Sequence, residues 1–368
     1  MSTVPTAACV GVAELAERHP DLLFHDPGGP TECVVWRGQL IVPRESLDAT
    51  VRELDRWVDH VEPADHSRIR LRPGAAADCV RIAGDIGGRL PVAANNVHAV
   101  LVGTPIMHGT GAVPTPAPLP PEPPRTVWDP AVTVLVLDTG LDPHPWFVDR
   151  PWFGDWGMRP EVLDLDGDGE PESQAGHGTF VTGVVLQHAP GVTIREHRVL
   201  SPTGLTDDLT VASALRRTRR HAAARGEHLD VVVMTSGCHT ADDRCPPVLA
   251  RELARLSNAV VVASAGNSGT TRPFWPAALP SVLAVGATGP DGALASFSGR
   301  GPWVDTTAPG VDVVSSAVYL NDGVRGYGGA TWSGSSFAAP RVAGEVASLI
   351  KNGTPADAVR AALPNMRH

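Results

Sequence analysis

Cysteine is scarce in this chain. Five residues (Cys9, Cys33, Cys79, Cys238, Cys245) are scattered through 368. An odd, sparse set argues against a disulfide scaffold and suits a reducing cytosol. Cys238 and Cys245 lie close enough to bridge, but no His–Cys spacing of the zinc type accompanies them, and two free thiols are the expected state. Long apolar runs are missing too, so no segment reads as a membrane span. The opening residues, Met1-Ser2-Thr3-Val4-Pro5-Thr6, carry neither a positive region nor an apolar stretch. No signal peptide is therefore read there, and a cytoplasmic location is expected. Basic stripes with interleaved aromatics are also absent, which argues against a nucleic-acid partner. The formal net charge is -10 and the pI about 5.7. That balance serves solubility and can favour basic substrates.

The length suffices for two domains. Residues 1–110 read as a small α/β unit. Glu32–Val42 is strand-like. Leu47, Val51, Leu54 and Val58 fall at helical spacing behind Ser46, a candidate N-cap. Arg68–Leu71 alternates like a strand, Ala76–Ala83 reads as a second helix, and Val97–Val102 as a further strand. The order suggests a compact open sandwich. From Gly111 to Arg125 the composition turns proline-rich. Such a run is extended and packs poorly, which marks a linker between domains; an SH3-type ligand is the functional alternative.

Residues 126–368 change character again. Ala131–Leu137 is a near-continuous apolar run, as in a strand buried on both faces. Helical and strand patterns then alternate: Gly176–Leu186, Val192–Val199, Asp208–Arg225, Asp230–Met234, Val248–Leu256, Ala259–Ala263 and Ser281–Val285. Alternation of this kind predicts a parallel sheet with helices on both faces and reactive residues at the carboxyl ends of its strands.

Four local patterns meet the needs of acyl transfer. Ser336, in Gly334-Ser335-Ser336-Phe337-Ala338-Ala339-Pro340, ends a small flexible run and opens a helix. Its hydroxyl would be exposed there, beside orphan N–H groups of the first turn. Such a serine needs a base. His177, flanked by Gly176 and Gly178, could supply it. Asp138, in Leu137-Asp138-Thr139-Gly140, sits at a strand end and could orient the imidazole. Asn267, in Ala265-Gly266-Asn267-Ser268-Gly269, could hold a developing oxyanion through its amide. Each alone has an ordinary reading: an N-cap or linker serine, a packing histidine, a turn aspartate, a turn asparagine. The chain order is Asp, His, Ser, with spacings of 39 and 159 positions.

Together these stretches resemble the subtilisin-like serine peptidases, the subtilase family, across residues 131–352. The resemblance implies a three-layer, doubly covered parallel sheet, preceded here by the small N-terminal α/β unit. It implies Asp138 as orienter, His177 as base and acid, Ser336 as nucleophile and Asn267 as oxyanion donor, with the Ser336 N–H as second donor. No cofactor is required, and peptides or proteins are the implied substrates. The N-terminal unit resembles the family's folding-assisting domain, able to cover the cleft. A catalytically silent scaffold of the same fold is the alternative, and an esterase or peptide-cyclising variant a third.

Departures fall around the substrate. Ser335 stands where the family often has threonine. Met234-Thr235-Ser236-Gly237 replaces a Ser-Leu-Gly-like strand end, whose backbone can pair with an extended peptide. Trp275 occupies a turn bordering the first pocket. Asp164, Asp166 and Asp168 alternate in an acidic insertion before the histidine. Calcium binding, an acidic lip for basic substrates and a solvated loop are its three readings.

Overall fold

The structure is a computed structural model and describes residues 17–99 and 113–362. In the N-terminal unit, β1 (Leu22–His25) pairs with β2 (Cys33–Pro43). Next come α1 (Leu47–Leu54), β3 (Val58–Glu62), β4 (His66–Leu71), α2 (Cys79–Gly87) and β5 (Ala93–Ala99). The strands form an antiparallel sheet in the order β3-β4-β2-β5. Leu40, Leu54, Ile69, Ile82 and Ile86 fill the space between sheet and helices. Three local expectations shift. Val58 starts a strand instead of ending the helix. Ser46 makes no side-chain cap; its carbonyl accepts the Thr50 hydroxyl at 2.8 Å. The second helix begins at Cys79, after a 3-10 turn over Pro73–Asp78 that takes the first three residues of the stretch read as helix. The last strand runs from Ala93 to Ala99, and residues 100–102 of its expected range lie outside the described residues.

The proline-rich stretch is not a free tether where it is described. β6 (Thr115–Ala117) is a strand of a second, C-terminal sheet. Further on, the carbonyls of Pro123 and Pro124 accept hydrogen bonds from the buried Arg150 guanidinium. A proline run lacks most of its own N–H donors, but its carbonyls can still be captured by a neighbour.

The second unit is built on β7 (Thr133–Asp138), buried at every residue. It continues through α3 (His177–His188), β8 (Thr193–Arg198), β9 (Leu205–Asp207), α4 (Asp208–Ala224), β10 (Val231–Met234) and α5 (Pro247–Ala254). The remaining elements are β11 (Val260–Ser264), β12 (Val282–Thr288), β13 (Thr306–Pro309), β14 (Val313–Asn321), β15 (Val324–Trp332), α6 (Ser335–Lys351) and α7 (Ala356–Ala362). Six strands lie parallel in the order β13-β12-β11-β10-β7-β8. Strand periodicity divides the core. Val134, Val136, Val231 and Val233 pack with α3 and α6; Leu135, Leu137, Val232 and Met234 pack with α4 and α5. Each such side chain, fully buried, contributes about 1.5–3 kcal/mol. The result is the expected doubly covered parallel sheet.

The two units are packed together. β9 pairs antiparallel with β5, so the second unit adds a strand to the first unit's sheet. Ile41 packs with Ala212 of α4 and Val248 of α5. His66 meets Glu252 at 3.1 Å, and His98 meets Asp208 at 2.7 Å, both in the buried interface. Among the described residues, no helix is long and apolar enough to cross a membrane.

Candidate active site

Asp138 ends β7, and its carboxylate is fully enclosed. Oδ1 accepts the Thr139 N–H at 2.8 Å and faces His177 Nδ1 at 2.7 Å. Oδ2 accepts the Thr235 hydroxyl at 2.6 Å. A carboxylate can only accept, so Nδ1 carries the imidazole proton and Nε2 keeps its lone pair as a base.

His177 opens α3, and the local sequence explains how it gets there. Gly176 adopts φ +85°, where a Cβ would also meet Val318 Cγ1 at 2.9 Å. Gly178 lies so close to β7's exit that a Cβ would fall 2.2 Å from the Gly140 carbonyl oxygen. Glycine on each side therefore brings the histidine against Asp138. The ring is packed edge-on by Trp332, with centroids 5.4 Å apart, and by Phe337 at 5.2 Å.

Ser336 lies in the first turn of α6, whose N–H groups have no intrahelical partner. Its hydroxyl donates to the Thr235 carbonyl at 3.3 Å. That carbonyl also accepts the Ser264 hydroxyl, which ties the ends of β10 and β11 together. Asn267 follows β11. Its Oδ1 accepts both the N–H and the hydroxyl of Ser335, each at 2.8 Å. A backbone N–H can only be met by oxygen, so the amide orientation is fixed and the NH2 is left to point elsewhere. Ser335 thus offers the same hydroxyl contact that a threonine would. Asp138 and His177 thus meet directly. Thr235 links the aspartate to the Ser336 hydroxyl, which bonds the Thr235 carbonyl and not the imidazole. Ser335 links the Asn267 amide to the start of α6. Asp138, His177 and Ser336 are 0–2 % exposed, so in this conformation the reactive groups are covered.

The substrate-side residues divide. Gly237 forms an antiparallel bridge with Ala99, donating to its carbonyl and accepting its N–H at 2.9 Å. The strand read as a peptide-pairing edge is therefore paired with the chain's own N-terminal unit. Ser236 lies beside that bridge and is buried. Met234 does not fit its assignment: its side chain lies in the core facing α4 and α5, because strand alternation turns it away from the cleft. Trp275 is buried, and its backbone pairs with Cys238 in both directions. Cys238 and Cys245 are free thiols.

The acidic loop brings oxygens of Asp164, Asp166 and Asp168 within 4.8 Å of one another. Asp164 accepts the N–H groups of Gly167 and Gly169, Asp166 that of Asp168, and Asp168 that of Glu170. The donor set suits a hard cation, although turn hydrogen bonds already use part of it.

Read from sequence alone, Thr139 has no role, Thr235 only a place on the substrate side, and Ser335 stands only as a departure from the family's threonine. In the structure Thr139 and Thr235 hold the aspartate and Ser335 holds the asparagine. The available signal is adjacency: Thr139 and Ser335 neighbour candidate residues.

A model of the Subtilase family matches residues 129–366. The "Thermophilic serine proteinase" of Bacillus sp. (strain AK1) is 33% identical over 235 residues, 60% of this chain and 52% of that protein. The "Alkaline elastase YaB" of Bacillus sp. (strain YaB) is 33% identical over 233 residues, 61% of this chain and 55% of that one. The chain thus spans about half the length of these two relatives. "Thermitase" of Thermoactinomyces vulgaris is 30% identical over 243 residues, 63% of this chain and 79% of it.

Proposed function

The chain belongs to the subtilase family, and on that premise we propose that it is a serine endopeptidase. The observation that carries the reading is the 2.7 Å contact between His177 Nδ1 and Asp138, in a site that also holds Ser336 and an oriented Asn267 amide. In this reading Ser336 Oγ attacks the scissile carbonyl while His177 Nε2 takes its proton. Asp138 stabilises the imidazolium without itself taking the proton. Asn267 Nδ2 and the Ser336 N–H receive the charge on the carbonyl oxygen. His177 then protonates the leaving amine, and water, activated by the same imidazole, releases the acyl group.

The N-terminal unit acts as a cover for the non-primed side. The Ala99–Gly237 bridge and the low exposure of the reactive groups support this. Its status as a separate domain before residue 126 belongs to the same proposal. The four described free thiols favour a reducing compartment, where a narrow processing role would suit a covered site.

A fluorophosphonate probe tests the enzyme. An adduct on Ser336, lost in Ser336→Ala and weakened in His177→Ala, is expected. A wild-type protein that takes up no probe after its cover is displaced would instead favour a silent scaffold. Intact mass of wild type against Ser336→Ala tests the cover: a cut near 105–125 in wild type alone means self-processing, and an uncut chain means a retained unit. Calcium titration of wild type against Asp166→Asn tests the acidic loop, and equal heats would dismiss it.

A further inference from the structure

Behind Asp138 and His177 lie carboxyls that the proposed chemistry does not use. Helix α3 begins at His177, and its N-cap, Gly176, supplies no side-chain cap because glycine has no side chain. Two of its orphan donors are satisfied from outside the helix. The Gly178 N–H donates to Thr139 Oγ1 at 2.8 Å. The Thr179 N–H donates to Glu161 Oε1 at 2.9 Å, and the Thr179 hydroxyl reaches the same oxygen at 3.1 Å. Glu161 comes from the loop that precedes the helix, sixteen positions before His177. It is itself fixed: its N–H donates to Asp142 Oδ1 at 2.9 Å, and its carbonyl accepts from Arg325 at 2.7 Å. Arg325 also pairs with Asp142 Oδ2. A buried carboxyl thus caps the helix whose first residue is the imidazole.

We propose that Glu161 is a positioning residue that helps set the working pH of this site: it fixes the start of α3, and its proton changes the electrostatic load on Asp138 and His177. The inference rests on the serine-peptidase reading.

Several observations support it. Glu161 is buried, and its Oε2 has no hydrogen-bond partner. Glu196 of β8 is also buried, and its Oε1 has none. A carboxylate with a bare buried oxygen is costly, so such groups hold their protons. Burial first, then the charges of Asp138 and Asp142, push Glu161 up to about 7 against the bonds from Thr139 and Thr179. Burial, then Glu161 and Asp138, push Glu196 well above the usual carboxylate range. The charged groups around Glu161 are Asp138 of β7, Asp142, Glu196 and Arg198 of β8, and Arg325 of β15. Arg325 is committed to Asp142, and Arg198 donates to the Pro160 carbonyl. Glu161 therefore ionises in the same range as an ordinary imidazole. Once ionised, it adds negative potential that favours the imidazolium, the form unable to act as base.

The test is the pH profile of kcat/KM between pH 5 and 9 for wild type and Glu161→Gln, with active sites counted by the fluorophosphonate. Glutamine keeps an oxygen for Thr179 and removes the charge. The acid limb of Glu161→Gln is expected to move down by roughly half a unit, the scale of a partly screened charge some ångströms away. A purely structural role would lower the rate equally at every pH, so an unmoved limb at full active-site count overturns the proposal. Should Glu161→Gln not fold, infrared spectra of Ser336→Ala serve instead. A protonated-carboxyl band lost near neutrality supports the proposal, and a carboxyl spectrum unchanged across this range overturns it. A wild type that never labels at Ser336 would defeat the peptidase reading, while the infrared result still reports on Glu161.

Discussion

Asn267 is held by its oxygen, and this decides what its nitrogen can do. Both Ser335 contacts fall on Oδ1, so the NH2 is free for a developing negative charge without rotating at the moment of reaction. Asn267→Ala is expected to lower kcat roughly 10²–10³-fold, with KM little changed, since the donor serves the transition state more than the bound substrate. Ser335→Ala removes one of two restraints on that amide and keeps the backbone one. Its loss should be near tenfold or less, the scale of one hydrogen bond of about 1 kcal/mol. Steady-state kinetics normalised to active sites would separate the two. Equal losses would mean that the hydroxyl, not the backbone, sets the amide. The placement of Asp138, His177, Ser336 and Asn267 at element ends was legible because each has a glycine within two positions in its own local sequence. Glu161 was not, since nothing near Pro160-Glu161-Val162 announces that its carboxyl will cap a helix starting sixteen positions later.

Elements differ in how plainly their sequences announce them. β7, β10 and β11 are apolar runs buried on both faces, and strand chemistry alone reveals them. The hairpin of β14 and β15 went unread, because Gly326, Gly328 and Gly329 sit where β-branched residues would signal a strand. The structure shows why one of those glycines is needed: a Cβ on Gly329 would lie 2.6 Å from Leu119 Cα in the adjoining proline-rich segment. Close approach of that segment replaced side-chain packing, and period-two reading failed with it. Helix α4 can be tested at its start. Asp207 accepts the Thr210 N–H at 2.7 Å and also the Asn95 amide across the unit boundary. Asp207→Ala should destabilise by about 1–2 kcal/mol, a cap together with part of a buried hydrogen bond. Gly178→Ala should cost more, on the order of 3 kcal/mol, because its methyl would meet the Gly140 carbonyl, which is backbone and cannot swing aside. Urea midpoints of the two variants would rank them, and the reverse order would mean that the α3 start can relax.

At the scale of the whole molecule, proton binding should govern how the protein behaves in acid. Burial lowers His144, His197 and His239 from 6.5 to about 4. His66, in the interface between the units, is lowered as well, again chiefly by burial and against its Glu252 partner. A histidine whose folded pKa is depressed keeps the folded state neutral while the unfolded chain takes up a proton. Its stabilising contribution is complete above pH 6.5 and is lost as pH falls towards 4. Each of the three strongly lowered groups should remove on the order of 1–3 kcal/mol over that window. Glu161 works in the opposite sense. Its raised pKa means the folded state keeps a proton that the unfolded chain releases above about 4.5, so its contribution is complete in acid and lost as pH rises through 7. Glu196, raised likewise by burial, adds to Glu161. The three strongly lowered histidines and His66 together outweigh the two glutamates, so the urea midpoint should fall from pH 6.5 to 4.5. Glu161→Gln should narrow the gap between wild type and variant at pH 8 relative to pH 5. His66 adds a local consequence. Protonating it places a charge in the boundary, so the N-terminal unit should loosen before the parallel sheet unfolds, seen as amide exchange rising first in β3 and β4. Exchange rising at once in β7 and β10 would show instead that the two units unfold as one cooperative body.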